Sequence, residues 1–270
     1  MNKLIVPFLL IFSLLSALNG ANHSVVCKAK VVGHDIVVTG LNKNPYSVTL
    51  VYDARYQSKS GNQHISKRVI LQPNIKKEIV RIREQKGKTI FKSNYKWMMG
   101  RINAKYDKAY HYRLPYRAGS RQMVTQGFNG TFTHFGASQY AVDFNLKEGT
   151  GVYAARAGRV IEVKSDSNKG GPNRSFLKDA NHIVIEHHDG TFALYAHLKQ
   201  HGVVVRLGEQ VRAGELIGYS GKTGYARGPH LHFVVYRIVN GNKIESLPIQ
   251  FVTLHGILKK PVEHQWYVAR

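Results

Sequence analysis

Residues 228–236 read GPHLHFVVY, and this stretch decides how the rest of the chain is interpreted. On a β-strand its side chains alternate, so His230 and His232 point to one side while Leu231 and Phe233 point to the other, toward a core. Two imidazoles two residues apart on a strand are an arrangement that metal sites use, because one ring can bind the ion while the other acts beside it. The alternative is a surface strand with two unrelated histidines. An acid and further histidines elsewhere in the chain would favour the metal site.

The composition predicts an all-β protein of two domains. The chain has 270 residues, and its hydrophobic fraction of 43% is ample for two cores. Tyrosine, phenylalanine and β-branched residues are frequent, and glycines recur between short apolar runs, which is typical of strands joined by tight turns. The single cysteine, Cys27, excludes an intramolecular disulfide and a metal cluster of thiolates.

The charge is strongly positive and unevenly distributed. The formal net charge is +23, of which residues 22–120 contribute +15, from 20 basic and 5 acidic side chains. Residues 121–270 contribute only +7. Such an excess predicts a polyanionic partner, which could be nucleic acid, an anionic polymer of the cell envelope or a membrane surface.

The first 21 residues predict a secretory signal peptide. Lys3 gives a short positive start, an apolar run covers residues 4–18, and small and polar residues follow at 19–21. The run is shorter than the about 20 residues that a membrane span needs, so we expect no stable transmembrane anchor after cleavage. An uncleaved anchor is the alternative. We therefore predict export to the periplasm, the cell envelope or the medium, which makes an anionic envelope polymer a better partner than nucleic acid.

Residues 22–118 predict a small β-sandwich of the immunoglobulin-like kind. Short strands alternate there with turns, and no group of residues suggests catalysis. The stretch YRLPYRAGS at residues 112–120 is interpreted as the connector, because Pro115 cannot continue a central strand and the glycine and serine at its end favour a turn. A second domain is predicted over residues 119–270.

The second domain predicts a compact antiparallel sheet with an acid among its apolar strands. Residues 140–144 read YAVDF, and the carboxylate of Asp143 would be costly there unless it were paired or bound to a metal. Asp189 and Gly190 stand between two further strands, a strong signal for a hairpin.

Several motifs occur together in this half of the chain, in one order. They are His134 ahead of YAVDF (140–144), GT and AA within 149–155, YAHL (195–198), the glycine-punctuated run 208–218, GKTG (221–224) and GPHLHF (228–233). In this combination residues 121–240 resemble the catalytic domain of the lysostaphin/LytM-type zinc metallopeptidases, which are cell-wall endopeptidases. The resemblance implies the antiparallel duplicated-hybrid-motif fold of that family.

The resemblance also implies roles for five residues. His134, Asp143 and His232 match the positions that bind one Zn²⁺ in the family, and His197 and His230 match the two histidines that handle protons. It further implies that the substrate is the peptide part of peptidoglycan.

The chemistry of these residue types agrees with those roles. Two imidazoles and one carboxylate leave one tetrahedral position of Zn²⁺ open for water. The metal lowers the pKa of that water to about 7, and a nearby imidazole can take the proton. His230 is favoured as the base because it lies beside His232, and His197 is favoured to stabilise the oxyanion or to share the acid role. The division between the two stays open.

One position departs from the family pattern. Many members have the ligand histidine four residues before the aspartate, where this chain has Gln139, and His134 lies nine residues before Asp143. We keep His134 as the predicted metal ligand, because the longer spacing also occurs in members of the family with the YAVDF form. The remaining histidines of this domain are interpreted as strand or turn residues; the nearest candidates are His182, His187, His188 and His201.

Other residues could shape a substrate groove. Tyr195 and Tyr225 could line it, although a strand tyrosine more often packs in a core. Residues 169–175 form a polar, glycine-rich loop that would be one wall of the groove in the family arrangement, or else a solvated insertion.

Three functions are compatible with the sequence. The first is an exported zinc endopeptidase held on the envelope by its basic first domain. The second is a catalytically silent or occluded relative that binds the wall and activates another hydrolase. The third is a polyanion-binding protein with a structural zinc. The presence of all five site residues favours the first, and the bond that is cut, glycyl or D-alanyl–diamino acid, stays open, with the second preferred.

Overall fold

The computed structural model describes residues 25–33, 35–58, 61–83, 91–239 and 243–270. The predicted signal peptide, residues 1–21, lies outside the described residues. Within them the chain divides into two compact units, one ending at residue 103 and the other comprising residues 104–239 and 243–270. We find no helix in the described part that is long and apolar enough to cross a membrane.

The first unit contains two antiparallel three-stranded sheets in its described part. Its strands are β1 (Val25–Val32), β2 (Asp35–Asn42), β3 (Val48–Ser58), β4 (Gly61–Leu71), β5 (Lys76–Arg83) and β6 (Phe91–Met99). The strand orders are β1-β2-β5 and β4-β3-β6. On β3 the side chains of Val48, Leu50, Tyr52 and Ala54 share one face and are fully buried, as the alternation of a strand requires. The immunoglobulin-like topology of this unit stays a prediction.

The second unit consists of short strands and two short 3-10 helices in its described residues. The strands are β7 (His111–Arg113), β8 (Arg121–Gln126), β9 (Val142–Phe144), β10 (Gly151–Tyr153), β11 (Gly158–Lys164), β12 (Gly170–Gly171), β13 (Asn181–Glu186), β14 (Phe192–Val203), β15 (Gln210–Val211), β16 (Leu216–Ser220), β17 (Gly224–Tyr225), β18 (Leu231–Val239), β19 (Lys243–Ser246), β20 (Gln250–Thr253), β21 (Gly256–Leu258) and β22 (Trp266–Val268). The helices span Gly136–Ser138 and Arg174–Asp179. The all-β prediction is confirmed.

One large sheet organises the second unit. Its strands follow the order β15-β11-β13-β14-β18-β9-β8-β22, and β10, β16 and β19 pair at its sides. β18 lies at the centre, and its Leu231, Phe233 and Val235 are fully buried, as the sequence predicts. β18 pairs with β9 so that His232 lies directly opposite Asp143. The register of two central strands therefore brings an imidazole and a carboxylate together.

Two short parallel pairs differ from the purely antiparallel sheet that the sequence predicts. β12 pairs with β17, and β7 pairs with β20, both in parallel. The members of each pair are far apart in sequence and are not joined by a hairpin, so no turn fixes their relative direction.

Residues 104–118 belong to the second unit, whereas the sequence predicts the boundary at residue 118. Tyr112, Leu114 and Tyr116 are each only 2% exposed and form part of the second unit's core. The backbone N–H of Arg113 donates to the carbonyl of Ala155, and β7 pairs with β20. The segment that reads as a connector thus begins within a short strand, β7, and stays packed in the core through Tyr116, with Pro115 just after the end of that strand.

Candidate metal centre

Three side chains of the second unit converge on one point. His134, Asp143 and His232 each offer a ligand atom, and these atoms lie within 4.8 Å of one another. His134 Nε2 lies 3.2 Å from Asp143 Oδ1, and His232 Nδ1 lies 2.9 Å from the same oxygen. All three residues are buried. The nitrogen and oxygen donors form a set that zinc and similar divalent cations prefer.

The loop before the first 3-10 helix brings His134 to the two strand residues. Asn129 adopts a positive φ of 61°, and the backbone N–H of His134 donates to the carbonyl of Gly130, so the chain folds back on itself. Gln139, four residues before Asp143, instead donates its side-chain amide to Asn129 at an exposed position. The structure therefore brings His134, and not Gln139, to the carboxylate.

The hydrogen bonding of His134 tests whether these residues fit a metal ion. Its Nδ1 lies 2.8 Å from the carbonyl of Gly127, and we assign the ring proton there because a carbonyl can only accept. Nε2 then carries a lone pair, is buried and makes no hydrogen bond with any described residue. Burial alone would raise the pKa of Asp143, but the charge of His134 in its protonated form and the hydrogen bond from His232 hold that pKa well below its usual range, so the carboxylate is ionised. An unpartnered nitrogen beside an ionised carboxylate fits a bound cation.

His197 and His230 lie beside this group. Their ring centroids are 4.5 Å apart, and the ring of His197 lies 5.9 Å from that of His232. His197 Nδ1 is 2.7 Å from the carbonyl of Thr223, and His230 Nδ1 is 2.9 Å from the carbonyl of Gly228. With the ring protons assigned to Nδ1, both rings have an unprotonated Nε2 that can accept a proton.

His197 is held in an uncommon conformation. Its φ is 66°, in the left-handed region, at the point where the pairing of β13 with β14 shifts register and leaves His197 without a partner in that pairing. Burial disfavours the imidazolium and, with His230 and His232 nearby, lowers the pKa of His197 to about 3. Left-handed backbone at a non-glycine residue is frequent at functional sites, because the surrounding structure must hold it there.

Gln126 is a supporting residue that the sequence analysis missed. Its amide nitrogen lies 3.1 Å from Asp143 Oδ2 and 2.7 Å from the hydroxyl of Thr133, and its oxygen accepts from the backbone N–H groups of Phe132 and Thr133. A Cβ at Gly130 would collide with the Gln126 side chain, so only glycine fits there. Gln126 therefore ties the carboxylate to the loop that carries His134.

A groove of about 560 Å³ opens onto these residues. Phe132 and Tyr225 contribute aromatic surface to it, and Arg174, Arg227 and Glu263 contribute charge. Arg174 belongs to the loop predicted as a groove wall, which pairs with β17 through β12.

Comparisons with known proteins identify the family. Residues 137–246 match the model of peptidase family M23. These residues form an M23 peptidase domain within the second unit. The chain is 37% identical to lysostaphin of Staphylococcus simulans over 124 residues, which are 45% of this chain and 22% of that protein. It is 30% identical to the peptidoglycan DD-endopeptidase ShyA of Vibrio cholerae, over 46% of this chain and 26% of that protein.

One solved structure is also similar to the M23 domain. It is the catalytic domain of lysostaphin from Staphylococcus simulans, which is 33% identical, with coverage of 52% of this chain and 88% of that one and a TM-score of 0.32. The chain spans about a quarter of the length of the curated relatives named above. The family match begins at residue 137 and leaves His134 outside, so His134 is connected to the site by geometry.

The other candidates of the sequence analysis lie elsewhere in the M23 domain. His182 Nε2 pairs with Glu162 at 2.9 Å, His187 is buried, and His188 and His201 are exposed. Tyr195 is fully buried, and its hydroxyl accepts from the backbone N–H of Ala155, so it packs in the core and does not line the groove.

Proposed function

We propose that the chain is an exported, zinc-dependent endopeptidase that hydrolyses peptide cross-links of bacterial peptidoglycan. The observation that carries the proposal is the convergence of His134, Asp143 and His232, with His197 and His230 beside them, at the end of an open groove. Lysostaphin and a peptidoglycan DD-endopeptidase among the relatives support the substrate class.

The three converging residues would hold the metal. His134 would bind through Nε2, His232 through Nδ1 and Asp143 through Oδ1, the atoms that face one another. When bound, Zn²⁺ lowers the pKa of a water and polarises the scissile carbonyl. The Nδ1–H of His134 stays engaged with the carbonyl of Gly127, which fixes the ring and increases its basicity as a ligand.

His230 and His197 would move the proton. His230 is only half-buried, so its ring is open to water and to substrate, whereas His197 is buried. We assign the general base to Nε2 of His230, which accepts the proton of the attacking water and later gives it to the leaving amine. The nearby His197 has a low pKa, so it is neutral at ordinary pH; its unprotonated Nε2 would accept a hydrogen bond from the attacking water or from protonated His230, and the proton itself passes from His230 to the leaving amine.

The first 21 residues and the basic first unit support the rest of the proposal. The apolar run over residues 4–18 would direct export. The +15 charge of residues 22–120, which include the first unit and the start of the second, would hold the enzyme on an anionic polymer of the envelope, through screened electrostatic attraction that weakens with salt.

Purified sacculi test the proposal. We expect the mature chain to release muropeptides in the presence of zinc, and we expect a chelator or the substitution His232→Ala to abolish release. His188→Ala is the matched control, because His188 is exposed and outside the site. Mass analysis of the released products identifies the bond. Absence of release by a chain that binds one zinc would contradict an active peptidase.

A further inference from the structure

The groove has two arginines, and only one of its acids lies outside the metal centre. Arg174 and Arg227 line it, and its two acids are Asp143, which belongs to the metal centre, and Glu263. Glu263 accepts a hydrogen bond from the backbone N–H of Gly127 at 3.3 Å. Neither arginine forms an ion pair or a side-chain hydrogen bond with another residue in the described part of the chain. Two guanidinium groups therefore face the groove without an anionic partner.

Arg227 is positioned by an aromatic ring. Its guanidinium lies 4.1 Å from the ring centroid of Phe132, and the ring centroids of Phe132 and Tyr225 are 5.9 Å apart. Stacking occupies one face of the guanidinium and leaves its in-plane N–H groups free, which is the geometry that binds a carboxylate with two hydrogen bonds.

Arg227 is also close in sequence to the reacting groups. It stands three residues before His230, and Gly228 and Pro229 join the two. Pro229 fixes its own φ, and His230 is anchored through Nδ1 to the carbonyl of Gly228. The arginine and the proton-transferring histidine are thus mounted on one short, restrained segment.

We propose that Arg227, assisted by Arg174, selects substrates with a carboxylate on the carbon that bears the scissile nitrogen. This inference rests on the proposed function and adds the substrate class: a cross-link through a diamino acid whose carboxylate is free, in preference to a neutral bridge of glycines. The carboxylate would lie in the plane of the Arg227 guanidinium and would orient the peptide for attack.

A pair of synthetic cross-linked peptides tests the inference. They are identical except that one has this carboxylate free and the other has it as a carboxamide. A third peptide carries the carboxamide at a remote carboxylate. The zinc-loaded full chain should cleave the free acid with a kcat/KM about 10- to 100-fold higher than the carboxamide, the range expected for a hydrogen-bonded ion pair.

Variants test whether the two arginines cause the preference for the free acid over the carboxamide. Arg227→Gln should reduce the ratio of the two kcat/KM values to about 1, and Arg174→Gln should reduce it in part. Arg227→Lys keeps the charge without the planar stack and should retain only part of the ratio. Arg212→Gln is the matched control, since Arg212 is exposed and outside the groove, and it should keep the wild-type ratio.

The outcomes separate this inference from the proposed function. Equal cleavage of the acid and the carboxamide, or a preference that follows the remote carboxylate, would overturn the inference and leave the peptidase intact. If neither peptide is cleaved, the proposed function fails, and equilibrium binding of the same peptides still decides the inference. Equal dissociation constants for acid and carboxamide would overturn it, and tighter binding of the acid that is lost in Arg227→Gln would support it.

Discussion

Gln126 joins the carboxylate of Asp143 to the loop that carries His134, so replacing it should weaken metal binding. The amide nitrogen lies 3.1 Å from Asp143 Oδ2, and both groups are buried. A hydrogen bond to a charged group contributes about 1.5–3 kcal/mol. The amide oxygen also accepts from Phe132 and Thr133, and these bonds fix the loop. Because 1.4 kcal/mol corresponds to a tenfold change in an equilibrium constant, we expect zinc affinity to fall about 10- to 100-fold.

Gln126→Met is the appropriate substitution. Methionine is about as long as glutamine and fills the same space, but it can neither donate to Asp143 nor accept from the loop. Zinc affinity is measured by competition with a chromophoric chelator at fixed pH. Gln139→Met is the control: it makes the same exchange in the same loop region, where the amide contacts only Asn129 at an exposed position.

An unchanged zinc affinity in Gln126→Met would refute this reasoning. The variant must remain folded for the comparison to count, and circular dichroism together with urea unfolding establishes that. If Gln126→Met and Gln139→Met lose the same affinity, the effect comes from the loop in general, and the bond to Asp143 is not responsible.

Two stability predictions concern buried polar groups of the M23 domain. Burial lowers the pKa of His187 in the folded chain to about 4 from 6.5. The contribution of its neutral ring to the unfolding free energy is therefore complete above pH 6.5 and is lost as the pH falls toward 4. Between pH 8 and pH 5 the unfolding free energy of the wild type, measured with urea, should therefore fall by about 2 kcal/mol more than that of His187→Asn. Asparagine keeps a donor to the carbonyl of Ala157 and leaves the neighbours Arg156 and Asp189 in place. Equal decreases in the two proteins would contradict this prediction. Thr223→Val should lower the unfolding free energy by about 1–3 kcal/mol, because the buried N–H of Asn181 and the buried carbonyl of Leu198 each lose their hydrogen bond to the Thr223 hydroxyl. A decrease below about 0.5 kcal/mol, measured by urea unfolding, would be inconsistent with that.

The central part of the site follows from local sequence patterns. The period of two over residues 228–236 places His232 on one face of a strand, and the YAVDF run places Asp143 in another apolar strand. Two such strands pair at the centre of a sheet, so the carboxylate and the imidazole become neighbours. His134 could be assigned only through the family resemblance, because no local pattern fixes the path of a nine-residue loop.

The predicted domain boundary differs from the structure for a different reason. Tyr112, Leu114 and Tyr116 alternate in the manner of a buried strand, but Pro115 favours a connector. In the structure β7 takes part in a sheet through a short parallel pair with β20, and the three apolar side chains fill the core. Contacts between segments so distant in sequence override a local turn signal.

The sequence contains one indication that Gln126 contacts a polar partner. The period of two predicts that Gln126 shares a face with the apolar Val124, whereas in the structure the pairing of β8 with β9 shifts register between them, and both residues are buried. A buried amide must find partners, and β8 pairs with β9 so that Gln126 lies opposite Asp143. The partner became visible only when the pairing of the two strands was known.

Some residues of the site lie on paired strands and others lie on loops, and we expect substitutions in the two places to have different effects. Asp143 and His232 are opposite each other on paired central strands, where a shift of one strand by one residue would turn its ligand to the wrong face. His134 and Arg227 lie on loops, and each is held by few contacts, to Gly127 in one case and to Phe132 in the other. If the proposals hold, substitutions around Arg227 would therefore change which cross-link is accepted while the three metal ligands keep their geometry, whereas a change of register between β9 and β18 would abolish metal binding for every substrate.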